Sequence, residues 1–187
     1  EYLKYRIHYG IINAGIAELR VKESVSREGK PVYHMVGTGR SVGMAEWYFK
    51  TRDTYQTYID KKAIVPVEFI RDVDEGGYKI NRHLLFDHES QQAVDIKKSA
   101  SESYSFPKFS QDLLSTLYYA RCFPSQDLKP GQTIPISMFL DYETYEFELK
   151  YLGVENVKTK FGTIRCKKLI PVVQSGRVFE DDESIML

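Results

Sequence analysis

Cysteine and tryptophan are scarce in this chain: its 187 residues include Cys122, Cys166 and a single tryptophan, Trp47. With two cysteines and no Cys-x-x-Cys, the chain has no multi-bridge framework, zinc knuckle or thioredoxin-type site. One Cys122–Cys166 disulfide stays open in an oxidising compartment. Two buried free thiols are the other reading, because cysteine packs as a small hydrophobe. A charge excess is also missing, since 26 basic and 26 acidic residues cancel. A nucleic-acid partner would need a basic stripe to neutralise phosphates, so none is expected. The pairs Lys61-Lys62, Lys97-Lys98 and Lys167-Lys168 read as hairpin ends or solvated edge charges. Nothing in the sequence argues for an anionic membrane surface. No apolar run is long enough to span a bilayer, so no transmembrane segment is expected. Repeats, low-complexity blocks and linkers are absent as well. Residues 1–187 therefore read as one β-rich domain, large enough to bury about 70% of its unfolded surface. The first residue is Glu1 rather than Met. A cleaved signal peptide is one reading of that start, and a shortened form of the protein is the other.

What the chain has in plenty is aromatic residues, with fourteen Tyr and ten Phe. They fall in alternating segments of the kind that half-buried strands prefer. Leu3, Tyr5, Ile7, Tyr9 and Ile11 predict a long first strand. Asn13-Ala14-Gly15 interrupts it as a bulge or bend, and Ala17, Leu19 and Val21 resume one face. A turn from Arg27 to Pro31 leads into a strand from Val32 to Gly39. Further strands are predicted at Arg52–Ile59, Val65–Val73, Tyr78–Phe86 and Gln91–Ile96. The turns Asp74-Glu75-Gly76-Gly77 and Asp87-His88-Glu89-Ser90 join them as hairpins. Lys129-Pro130-Gly131 restarts the sheet, followed by Thr133–Leu140, Tyr142–Leu152, Thr163–Pro171 and Arg177–Leu187. In Tyr142–Leu152 the alternation is clean, so one face is wet.

One segment is helical by pattern, about 110–122. Phe109 and Leu114 occupy the positions of a hydrophobic staple around an N-cap at Ser110. Asp112 lies in the first turn, where negative charge favours the dipole. Leu114, Leu117, Tyr118 and Arg121 share one face, and Pro124 ends the run. A short second helix over about 41–49 fits the spacing of Val42, Ala45 and Phe49. The fold class is thus mainly β: an antiparallel barrel, a half-barrel or a strongly curved sheet, with the first of these helices capping its concave side. That helix either packs as core or forms a lid over a cavity, with Arg121, Tyr118 and Tyr119 at the mouth.

Catalytic motifs are weak. Gly39-Arg40-Ser41-Val42-Gly43 matches Gly-x-Ser-x-Gly, but a nucleophile elbow needs alternating β and α elements, so a glycine-eased bend is the better reading. His83 and His88 would need the intervening turn to bring them together, and zinc sites offer three or four convergent ligands. Asp181-Asp182-Glu183 reads as a solvated turn and lacks the ligand alternation of a calcium loop. No catalytic residue, metal or cofactor is expected.

The pattern Gln111-Asp112-Leu113-Leu114-Ser115-x-Leu117-Tyr118-Tyr119-x-Arg121 resembles the family known as domain of unknown function 3108. The opening Tyr5-Arg6-Ile7-His8-Tyr9-Gly10 and the following Ala14-Gly15-x-Ala17-x-Leu19 also fit it. So do Arg52-Asp53-Thr54-Tyr55-x-x-Tyr58-Ile59-Asp60, Phe161-Gly162-Thr163-Ile164-Arg165-Cys166 and Gly176-x-Val178-Phe179. The resemblance implies export to the periplasm or outer envelope of a Gram-negative bacterium, and carries no established biochemistry. Such proteins continue with a strand bearing Trp and an Asp pair, whereas this chain stops at Ile185-Met186-Leu187. A truncated C-terminus is one reading of that difference.

The leading functional expectation is a non-catalytic envelope protein that binds a lipid or other apolar small molecule. The ligand residues would be Trp47, Tyr118, Tyr119 and Arg121. Trp47 sits in the apolar run Met44-Ala45-Glu46-Trp47-Tyr48-Phe49, which would line a cavity mouth or pack beneath the sheet. The alternatives are an interaction or scaffold module with a filled core, docking an envelope protein, and an unrecognised hydrolase.

Overall fold

In a computed structural model of the chain, residues 1–22, 25–27, 29–98, 102–122 and 128–172 are described. The expected strand Arg177–Leu187, the acidic run at 181–183 and the helix stop at Pro124 lie outside them. The first sheet is assembled in sequence order from β1 (Tyr2–Tyr9), β2 (Ile12–Val21), β4 (Lys30–Ser41), β5 (Thr51–Asp60), β6 (Pro66–Glu75), β7 (Tyr78–Asp87), β8 (Gln92–Asp95) and β9 (Ser103–Ser105). The short β3 (Val25–Arg27) pairs with the start of β4. Every pairing is antiparallel. β1 and β9 are the ends of this order, so the sheet is curved and open rather than closed into a barrel. A second sheet has the order β10 (Thr133–Leu140), β11 (Glu143–Thr159), β12 (Gly162–Val172).

Two helices connect these parts. α1 (Met44–Tyr48) is one short turn between β4 and β5, narrower than the expected 41–49. α2 (Leu113–Cys122) lies between the two sheets. On one side Leu114 and Tyr118 join Met35, Ile59, Phe69, Leu84, Phe86, Phe106 and Phe139. On the other, Ala120 packs with Ile134, Ile136 and Leu149. A helix buried on two sides needs more than one apolar stripe, which explains why Ser115 and Thr116 are buried too. Phe86 meets Phe106 and Phe139 edge-on at 5.4 and 5.9 Å, so the interior beneath α2 is filled with rings.

The start of α2 corrects the expected capping. Gln111 is extended, forming a parallel bridge to Met138: its N–H donates to the Ser137 carbonyl and its own carbonyl accepts from the Phe139 N–H, both at 2.8 Å. The helix therefore cannot begin at Ser110, whose hydroxyl donates to the Pro107 carbonyl. Asp112 is the cap: one carboxylate oxygen accepts the N–H groups of Leu114 at 2.8 Å and Ser115 at 2.7 Å. Ser115 Oγ accepts the Asp112 N–H in return, a reciprocal box with serine in the usual glutamate position. The expected staple is also absent, because Phe109 is exposed with φ of +66°.

The first strand differs too. Gly10 and Ile11 form a two-residue turn that folds β1 back on β2, with Tyr9 opposite Ile12. Gly10 takes φ of +55°, which a hairpin turn of this length tolerates best in glycine. Ile11 continued the apolar alternation, so the pattern ran straight through the turn. The irregularity expected at residues 13–15 is present: Ile7 pairs with Gly15 and His8 with Asn13, so the pairing skips Ala14 as a bulge.

Candidate functional site

Register decides which side chains of the large sheet share a face. Leu19, Met35, Thr57, Tyr55, Phe69 and Leu84 point inward toward α2, and their sequence neighbours point outward. Two outward rungs cross four strands near one end of the sheet. One runs Glu18, Thr38, Thr54, Asp72; the next runs Ile16, Arg40, Arg52, Asp74. The short threonines between longer side chains leave a trough of about 460 Å³, with Gly39 and Asp53 completing its lining.

The trough carries both signs of charge. Glu18 is bonded by Lys4 at 3.0 Å, and this hydrogen bond holds its carboxyl below the usual range. Arg52 pairs with Glu46 of α1 and donates to the carbonyls of Ser41 and Thr51. Asp74 lies 3.4 Å from Lys79. Arg40 and Asp72 have no ion pair among the described residues.

The Arg52–Glu46 pair links the trough to an apolar rim. At this end the β1–β2 turn, α1 and the β6–β7 turn are neighbours: the Val42 N–H donates to Ala14, and the Gly76 N–H to Lys50. Phe49 lies directly over Gly76, where a Cβ would come within 2.7 Å of its ring. At the same end Trp47 and Tyr48 are each 89% exposed, and Tyr9 and Ile11 by the β1–β2 turn, Met44 on α1 and Tyr78 after the β6–β7 turn are exposed as well. Ser41 Oγ accepts the Thr51 N–H at 2.9 Å and ties the end of β4 to the start of β5. The Gly-x-Ser-x-Gly match is thus the bend that launches α1.

The ligand residues expected from sequence do not converge. Trp47 stands on the rim beside the β1–β2 turn. Tyr118 and Arg121 lie near Glu1, at the other end of β1. Arg121 pairs with Glu1 through two bonds of 2.7 Å and lies 5.3 Å from the Tyr118 ring centre. Tyr118 is buried, and burial raises its phenol pKa. Tyr119 is half-buried against the second core.

Further polar groups are set into the body. Asp112 is wholly buried and accepts the Thr57 hydroxyl at 2.5 Å; burial pushes its carboxyl up to about 6. Burial, and then the neighbouring Glu75, raise Asp53 to about 6. On the outer face Glu68 is clamped between Arg27 at 2.6 Å and His83 at 2.8 Å, while His34 stacks on Tyr58 and bonds Gln56. His88 bonds the Pro66 carbonyl instead of turning toward His83.

The two sheets meet at a turn the sequence did not mark. Asp141 and Tyr142, which join β10 to β11, both have positive φ, 52° and 69°. Asp141 receives Arg71 at 2.8 and 2.9 Å, and Arg82 lies 3.4 Å away. The Tyr142 hydroxyl donates to Asp95 at 2.6 Å, and its ring stacks on Tyr104.

Both thiols are free, and neither is buried: Cys122 is exposed in the last turn of α2 and Cys166 is half-buried. The expectation of two buried thiols is corrected accordingly. Among the described residues no three His, Cys, Asp or Glu side chains are placed to hold a metal ion. No described helix is long and apolar enough to cross a membrane. The trough is the site that sequence reasoning missed, because Glu18, Arg40, Arg52 and Asp74 meet only through strand register.

Comparison with curated proteins and with solved structures yields no match. Over residues 4–187 the chain matches the model of the family described as protein of unknown function (DUF3108), and it belongs to that family.

Proposed function

We propose that this protein is a non-catalytic binder of an amphipathic ligand, with the apolar tail on the rim and the headgroup in the trough. The observation that carries this reading is the exposure of Trp47 and Tyr48, 89% each, on the helix whose Glu46 pairs with Arg52 of a trough with both signs of charge. Covering a large apolar side chain is worth roughly 1.5–3 kcal/mol, so a tail lying across a few of these residues gains appreciable affinity. Arg40 and Asp72, which have no ion pair among the described residues, suit a headgroup that itself carries a phosphate and an ammonium. The packing of Phe86 on Phe106 and Phe139 beneath α2 supports a ligand at the end of the sheet over one beneath the helix. Residence in the periplasm or outer envelope of a Gram-negative bacterium is part of the same proposal and rests on the family resemblance.

The same ring packing supports a second reading, an interaction module whose rim docks an envelope protein. Titration with monomeric lysophosphatidylcholine separates the two. Under the ligand reading the emission of Trp47, the one tryptophan, shifts saturably to shorter wavelength. Arg40→Gln weakens this binding while leaving the unfolding midpoint unchanged, since substitutions of this exposed kind move stability by no more than about 0.5 kcal/mol. No saturable shift with folded protein would sink the ligand reading and leave the interaction module.

A further inference from the structure

β11 and β12 run beyond the body of the protein. Up to Tyr151 and Leu169 their side chains feed the second core. A bulge follows at Leu152, with Gly153 at φ of +119°. From there Val154–Thr159 and Gly162–Arg165 form a two-stranded arm exposed on both faces. An isolated two-stranded hairpin is marginal in water, and this one has no core of its own.

The arm concentrates one sign of charge. Of the chain's 26 basic and 26 acidic residues, Lys158, Lys160 and Arg165 lie in the arm and its turn and Lys167 and Lys168 at its base, with Glu155 alone. The rest of the chain is left with an acidic excess of four. Glu155 pairs with Lys168 at 2.9 Å. Lys158, Lys160 and Arg165 have no ion pair among the described residues. The sequence hides this patch because its lysines are divided between two strands and their turn.

Apolar groups accompany the charges. Phe161 is 94% exposed at the tip. Val157 and Ile164 are directly opposed across the hairpin and remain 41% and 45% exposed. Asn156 opposes Arg165 and Lys158 opposes Thr163 on the other face. A basic element with an apolar tip and an exposed Val157–Ile164 pair matches the chemistry of an anionic bilayer surface, where cations meet lipid phosphates and an aromatic ring enters the headgroup layer. A single-stranded nucleic acid would call for several aromatic platforms, and the arm has one.

We propose that the β11–β12 arm docks the protein on an anionic lipid surface, with Phe161 inserted and the cations around it on lipid phosphates. The acidic excess elsewhere orients the molecule, since the same surface repels the body. This inference rests on the arm alone and is independent of the trough.

Co-sedimentation with vesicles tests it. The wild-type protein should bind vesicles of mixed phosphatidylglycerol and phosphatidylcholine, release them as salt rises, and ignore phosphatidylcholine alone. The triple variant Lys158→Gln, Lys160→Gln, Arg165→Gln should lose about hundredfold in affinity, roughly fivefold per neutralised cation. Phe161→Ser should lose about tenfold through its lost apolar burial. These side chains are exposed, so thermal unfolding should be unchanged in both variants. The Trp47 response to monomeric lysophosphatidylcholine should also survive in the triple variant, which keeps this outcome distinct from the rim reading. Absence of binding, equal binding to neutral vesicles, or full binding by the triple variant would overturn the proposal. Arm-dependent binding to an oligonucleotide that exceeds binding to the anionic vesicles would overturn it in favour of nucleic acid.

Discussion

The two faces of the nine-stranded sheet are made by the same strands and do opposite work. Inward, Phe69, Leu84 and Thr57 are 1%, 1% and 0% exposed beneath α2 and β10. Outward, Thr54 on β5 and Asp72 and Asp74 on β6 line an open trough. Alternation along a strand thus gives one face to stability and leaves the other free for recognition. Their difference implies that substitutions inward should be felt in unfolding, and substitutions outward in binding.

The largest expected effect tests the inner face. Leu114 is 4% exposed and also touches Gly37, where a Cβ would come within 3.2 Å of its side chain. Leu114→Ala should cost about 2–5 kcal/mol in urea unfolding. Leu117, only partly buried at the edge of the same cluster, should cost clearly less on the same change. Equal losses at the two positions would mean that α2 is rotated from the orientation described.

A smaller effect sharpens the contrast through pH. Burial raises the Asp112 carboxyl from 3.8 to about 6 in the folded state. The folded protein therefore holds a proton there that the unfolded chain releases between those values. This contribution is fully present below pH 4 and is lost as pH rises through 6. Two units correspond to no more than about 3 kcal/mol. Asp112→Asn keeps a good cap and removes the titration. Its unfolding midpoint should fall less than that of wild type between pH 4 and pH 7; an identical slope would show that Asp112 is not the group responsible.

Most of the body was legible because β4 through β8 obey simple alternation and are separated by turns with clear chemistry. Gly76 and Gly77 take φ of 58° and 94°, as a two-residue hairpin requires. The Asp87 carboxylate accepts the N–H groups of Glu89 and Ser90 to shape the next turn. What failed depended on contacts far along the chain. The cap moved from Ser110 to Asp112 because Gln111 is bound to β10. β3 and β9, three residues each, are too short to show a period. β11 was expected to stop at Leu152, near a glycine that the structure uses for a bulge, so the arm beyond it went unread. Of the candidate site, the exposed run around Trp47 was visible as an unusual aromatic cluster. The trough was not, since no local signal ties Glu18 to Asp74.

The Asp141–Tyr142 turn bears on cooperativity. Neither residue adopts positive φ willingly, and each such conformation costs on the order of 1–3 kcal/mol. The second sheet cannot recover that cost by itself. Its compensation lies on the first sheet, in Arg71 on β6, Arg82 on β7 and Asp95 on β8. Each sheet is therefore worth less without the other, and the turn acts as a rivet between them. The two sheets should melt in a single transition, with coincident curves from probes placed on β7 and on β10. Resolved transitions would show that the rivet holds two independent bodies, while Tyr142→Ala should pull a single transition apart.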